Sequence, residues 1–217
     1  MKQLRQFLMA LALVGLLCTT AAAEVHDGLY AGLYGGLPVL EDATAQDALG
    51  SYNLETDPGS LYALTLGYEL PPGSPVGDGR LELDVARRSN DYSQATFSDT
   101  AVSAEGTVSA DSLLLNSFAA FRNRSPVTPY LGVGAGVAQL TVDNLVVDGV
   151  PLIDDDTLVF AWQAGCGLDI DLTRWLRLDV GYRYFATQNT KFNNTSGNKV
   201  KLEYTAHTAL VGVVVKF

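Results

Sequence analysis

The chain has 217 residues, of which 47% are hydrophobic and 18% charged, with 21 glycines and a formal net charge of −10. That length suits one domain, the composition is too apolar for a disordered tail, and the acidic balance excludes a nucleic-acid partner, whose phosphates need a basic surface. Low charge with abundant glycine points to strands around a tightly packed interior, not to a helical bundle.

Met1 to Ala23 reads as a secretory signal: Lys2 and Arg5 lead, the apolar run Phe7 to Leu17 follows, and small residues close it. Cleavage is expected after Ala23, which leaves residues 24–217 as the mature domain. The apolar run is shorter than the ~20 residues of a spanning helix, so it is not read as an anchor. Cys18 leaves with the signal, and Cys166 then stands alone as a small apolar residue with no disulfide partner.

Eight segments of strand periodicity follow. In Gly28 to Leu37, Leu29, Ala31, Leu33 and Leu37 alternate with Tyr30, Gly32, Tyr34 and Gly36; in Leu61 to Leu70, Tyr62, Leu64, Leu66 and Tyr68 alternate with Ala63, Thr65, Gly67 and Glu69. Arg80 to Tyr92 sets Leu81, Leu83 and Val85 against Arg80, Glu82, Asp84 and Arg88. Ser112 to Arg122 sets Leu113, Leu115, Ala119 and Phe121 against Asn116, Phe118 and Arg122, and Tyr130 to Val142 alternates Leu131, Val133, Ala135 and Val137 with three glycines.

The clearest pair runs from Leu158 to Tyr184. Leu158, Phe160, Trp162, Ala164, Cys166 and Leu168 form one row, and Leu176, Leu178, Val180, Tyr182 and Tyr184 another; Asp169, Arg177, Asp179 and Arg183 lie on the opposite rows. The last segment, Leu202 to Phe217, carries Ala209, Val211, Val213, Val215 and Phe217 on one side. Connections at Pro71 to Gly79, Asn123 to Pro129 and Asp171 to Arg174 are short; those at Pro38 to Ser60, Ser93 to Asp111, Asp143 to Asp156 and Thr187 to Lys201 are long and polar. This is the layout of an all-β, eight-stranded antiparallel up-and-down transmembrane β-barrel with short periplasmic turns and longer outer loops.

Energetics set the orientation of the rows. Each Arg turned into hydrocarbon near the midplane would cost about 2–4 kcal/mol, so the mixed rows are expected to face inward. Glu69, Glu82, Asp84, Arg88, Arg122, Asp169, Arg177, Asp179 and Arg183 then form a charge network in a lumen only wide enough for side chains. Aromatic residues cluster at both ends of the outward rows, as interfacial girdles do.

The run FAWQAGCGLDIDLTRWLRLDVGYRYF, preceded by SLLLNSFAAFRNRSPVTPYLGVGAGVA and closed by VGVVVKF, resembles the small outer-membrane β-barrel family of opacity-type and OmpA-like barrel domains. The resemblance covers nearly all of the mature chain. It implies a bacterial outer-membrane location and surface contact or envelope maintenance, with adhesion as one form of it. It also implies that Val211, Val213, Val215 and Phe217 form the C-terminal signal read by the barrel-assembly machinery. The peptidoglycan-binding domain of some relatives is expected to be absent.

No nucleotide loop, metal-ligand cluster or nucleophile motif stands out, so neither catalysis nor a cofactor is expected. The GVGAG stretch at Gly132 to Gly136 lies within a strand and reads as packing space. His207 is followed by Thr208 and Ala209 and lacks the neighbouring serine of lipid A deacylases, so it reads as a residue near the outer interface. Glu41, Asp42, Asp47, Glu55 and Asp57 in the first loop and Asp143, Asp148, Asp154, Asp155 and Asp156 in the third face Lys191, Lys199 and Lys201 in the fourth. The fourth loop could fold against the acidic ones, or divalent ions could bridge the acids to lipopolysaccharide; solvated surface charge is the plainer reading. The expected partners are outer-membrane lipid and lipopolysaccharide, the assembly machinery, and a host or surface ligand at the loops. Three other classes remain open: a narrow porin, a lipid A-modifying barrel, and a soluble secreted barrel with its rows reversed.

Overall fold

A computed structural model describes residues 28–41, 43–47, 50–71, 78–97, 100–188, 190–193, 199–202 and 204–217; the expected signal segment lies outside the described residues. Twelve strands are present among them: β1 (Leu29–Leu40), β2 (Ala43–Asp47), β3 (Gly50–Thr56), β4 (Ser60–Glu69), β5 (Gly79–Phe97), β6 (Thr100–Ala120), β7 (Val127–Val147), β8 (Val150–Asp171), β9 (Leu176–Thr187), β10 (Thr190–Asn193), β11 (Lys199–Leu202) and β12 (Thr205–Lys216).

Antiparallel pairing runs β1–β4–β5–β6–β7–β8–β9–β12 and returns to β1, so eight strands close a ring. Closure removes every free strand edge at membrane depth, where an unpaired backbone amide would meet no water. The apolar rows face out: Leu33, Leu37, Leu115, Val133 and Leu158 each expose more than half of their surface (61%, 64%, 61%, 62% and 70%). Arg80, Glu82, Arg88, Asp169, Arg177, Asp179 and Arg183 are buried inside. On β8 the outward row from Leu158 to Leu168 covers ten residue steps, which at about 3.3 Å each and a tilt of about 40° gives an apolar band about 25 Å tall. Cys166 lies on this row and is exposed to the membrane.

Two of the expected long loops are not loops. β5 and β6 stay paired up to Phe97↔Thr100, and β7 and β8 up to Val147↔Val150. Asp148 and Gly149 make the second connection, with φ of 49° and 75°. Positive φ at both central residues is the two-residue hairpin geometry that matches strand twist, and glycine takes it without steric cost.

The first and fourth loops also contain strands. β2 and β3 form a hairpin, β3 pairs with the upper part of β5, and β11 joins β2 at Lys201↔Gln46. The fourth loop therefore folds against the first. Together these extensions make a collar standing above the apolar band.

The collar has its own core. Val108, Ala110, Leu140, Val142, Leu145 and Val147 turn inward and pack in one cluster with Leu114, Phe185 and Tyr204. At strand spacing this row continues the inward face of the barrel, but with apolar side chains where the lower half carries charged ones.

Candidate functional site

The lower lumen is organised around Arg80, which lies at the foot of β5 because Gly79–Arg80 opens that strand opposite Ala119 and Phe118. Its guanidinium reaches three acids: Glu82 on its own strand at 2.6 Å, Asp179 on β9 at 3.2 Å, and Asp169 on β8. Tyr30 donates to the same Glu82 oxygen at 2.6 Å, while Tyr130 and Tyr34 donate to Asp179 at 2.6 and 3.1 Å. The Arg80 guanidinium also lies 4.2 Å from the centre of the Tyr130 ring. A buried cation here is held by charge, by hydrogen bonds and by a π face, which offsets the large cost of removing it from water.

The remaining predicted residues sort into three groups. Toward the periplasmic mouth, Arg177 contacts Glu69 at 2.6 Å, Asp171 at 3.1 Å and Asp169 at 3.6 Å, and Lys216 contacts Asp171 at 2.6 Å. Arg183 has Tyr130 Oη at 3.2 Å and lies 4.7 Å from the Phe118 ring centre, so it joins the Arg80 hub through an aromatic residue. Arg88 donates to Ser112 at 2.9 Å and to Gln163 at 3.4 Å, and sits 4.1 Å from the centre of Phe185.

Two placements depart from the expected network. Arg122 does not face the lumen: β6 ends at Ala120, and Arg122 lies beyond it on the rim, 38% exposed and 3.2 Å from Glu69. Asp84 is inside but has no cation within ion-pair distance among the described residues, and its Oδ1 has no hydrogen-bond partner. It shares a cavity of about 10 Å³ with Arg88, Thr65 and Gln163, roughly the room one water needs. A bridging water there satisfies both ions.

Sequence reasoning passed over Arg80, Tyr30, Tyr34, Tyr130 and Asn116 as lumen residues. Glycine supplied a readable signal for the rings. A Cβ on Gly67 would come within 2.0 Å of Tyr30, and one on Gly212 within 2.2 Å of Tyr34. The inward glycines make room for aromatic rings at least as much as for Arg and Glu.

His207 faces outward at the upper edge of the apolar band, with Nε2 2.7 Å from Glu41 and Nδ1 2.5 Å from the Tyr182 hydroxyl. Arg87 and Asp111, at 3.0 Å, sit on the same outward side next to Val85 and Leu113. These polar residues mark the outer interface; Tyr68, Phe121, Trp175 and Phe217, all exposed, mark the periplasmic one.

The ion-paired lower lumen and the apolar collar leave no continuous aqueous path through the described residues. Planar-bilayer recordings are expected to show no steady, large single-channel conductance; a stable open level of porin size would mean that one of these two levels moves aside.

A closed antiparallel ring with a charged interior and a lipid-height apolar exterior defines an integral outer-membrane β-barrel of a Gram-negative bacterium. The chain belongs to the outer membrane protein beta-barrel domain family, which matches residues 9–217. It is 27% identical over 161 residues to the outer membrane protein PagN of Salmonella typhimurium, covering 67% of this chain and 64% of PagN, so the match spans just under two thirds of that relative. Among solved structures it resembles Neisserial surface protein A, with a TM-score of 0.51 and 21% identity over 88% of this chain and 98% of the other. It likewise resembles OprG of Pseudomonas aeruginosa, with a TM-score of 0.56 and 15% identity over 89% of this chain and 99% of the other. At those identities the structural likeness establishes the fold.

Proposed function

We propose that this protein is a non-enzymatic surface-interaction barrel, in which the membrane-spanning ring is the anchor and the collar is the contact surface. One observation carries the reading: the strands run past the apolar band and enclose a core of their own, so the collar is a shaped surface held off the membrane. Its exterior is acidic. Glu41, Asp57, Asp91, Glu105, Asp143, Asp148 and Asp156 are all exposed, and Arg87 is half-buried at the base. Charge complementarity favours a cationic partner, such as a basic protein segment on a host or neighbouring cell. Adhesion and envelope upkeep both use such a surface, and the collar favours adhesion because upkeep needs no projecting structure.

The test is adhesion of a non-adherent Gram-negative strain carrying the protein at its surface. Wild-type protein is expected to raise binding to cultured cells several-fold, and the variant with Glu105→Lys, Asp143→Lys, Asp148→Lys and Asp156→Lys to abolish the gain at equal surface amount. No gain from the wild type, or an undiminished gain from the variant, overturns the reading. Lipid A of unchanged mass in expressing cells is expected as well; a shifted mass would indicate a lipid-modifying enzyme instead.

A further inference from the structure

The outward face of the barrel is not uniformly convex. Near the periplasmic end, Leu29, Leu66, Tyr68, Leu81, Leu83 and Phe217 line a groove of about 400 Å³. These residues come from β1, β4 and β5 and from the end of the chain beyond β12, brought together by the closure of the ring. One water-sized group fills ~30 Å³ of liquid, so the groove has room for a long run of methylenes.

Its height identifies the solvent it faces. Tyr68 is one residue from the end of β4, Leu81 two residues from the start of β5, and Phe217 follows the last strand, so the groove opens into the inner-leaflet half of the apolar band. In an outer membrane that leaflet is phospholipid. A second feature lies at its foot: Arg122 is held 3.2 Å from Glu69, the residue after Tyr68, and 38% of its side chain is open to solvent. Arg122 projects from the turn end of β6, which pairs with the β5 strand that carries Leu81 and Leu83. A guanidinium below an apolar groove, at the level of the headgroups, is the pair of features a phosphodiester with an acyl tail requires.

We propose that this face binds one phospholipid of the periplasmic leaflet, with an acyl chain in the groove and the headgroup phosphate on Arg122. Ring closure then creates a lipid site from strands at both ends of the chain, and the site exists only in the assembled barrel. Glu69 loses little when Arg122 turns to the phosphate, because Arg177 still contacts it at 2.6 Å.

Native mass spectrometry of the full chain from mild detergent, with added phosphatidylglycerol or phosphatidylethanolamine, tests the proposal. Wild-type protein is expected to retain one phospholipid after the detergent is stripped, and diacylglycerol with the same tails at least several-fold less often. The pair Leu66→Trp and Leu83→Trp fills the groove from the lipid side and should reduce retention several-fold; Arg122→Gln should remove the preference for phospholipid over diacylglycerol. Val133→Trp, a lipid-facing change elsewhere on the wall, should alter neither, and heat-shifted gel mobility verifies that each variant is folded. Equal retention by wild type and by the Leu66→Trp, Leu83→Trp variant would overturn the proposal. So would a wild-type dimer that the same variant dissociates, since the groove would then be a contact between copies of the chain.

Discussion

Replacing Arg80 by leucine is expected to lower the stability of the folded barrel by about 3–5 kcal/mol, the cost of leaving a buried ion cluster without its counter-charge. Three carboxylates meet this one guanidinium, and Asp179 has no other cation within ion-pair distance among the described residues. Asp169→Asn should cost clearly less. Arg80 keeps Glu82 and Asp179 in that variant, and Arg177 keeps Glu69 and Asp171. Urea titration in detergent, read by the gel-mobility difference between folded and unfolded forms, gives the ordering directly. Equal losses for the two variants would mean that the lumen charges act as a diffuse set and that Arg80 is not their hub.

The second large effect belongs to the collar. Leu140 is fully buried in its core, where truncation alone costs about 2–5 kcal/mol. A carboxylate placed there would also lack a partner and a solvent shell. Leu140→Asp is therefore expected to open the collar without dissolving the anchor. Protease added to intact cells should cut the variant rapidly within residues 97–156 while the membrane-embedded remainder keeps its heat-dependent mobility. If the variant resists protease as the wild type does, the collar is not stabilised by that core.

Much of this architecture was legible from strand periodicity, and the limits of legibility have physical causes. Leu131, Val133, Ala135 and Val137 alternate without interruption, so their outward orientation could be read directly. The same alternation continues through Leu140 and Val142, but the register of β7 against β8 then shifts before Leu145, where Asn144 adopts φ of 51°. That shift throws the period of two out of step. With Asp143 and Asp148 nearby, a cored strand extension therefore reads as a polar loop. The Asp148–Gly149 pair was the available hairpin signal.

The lumen shows the complementary limit. Alternation assigns Arg80, Glu82, Asp169 and Asp179 to inward rows, but it carries no information on height along the barrel. Arg80 meets acids 89 and 99 residues away, contacts that depend on strand stagger. Arg88 and Asp84 occupy the same strand and the same row, yet the first turns to Ser112 and Gln163 and the second to a cavity. Arg122 was misplaced by the least determinable quantity in such a reading, the last residue of a strand.

The single backbone link between Lys201 and Gln46 has an immunological corollary. The outermost face is stitched from two segments near opposite ends of the polypeptide, so an antibody raised against either peptide alone would see half an epitope. Drift in one segment must also preserve its fit to the other, which makes the pair a unit of antigenic change.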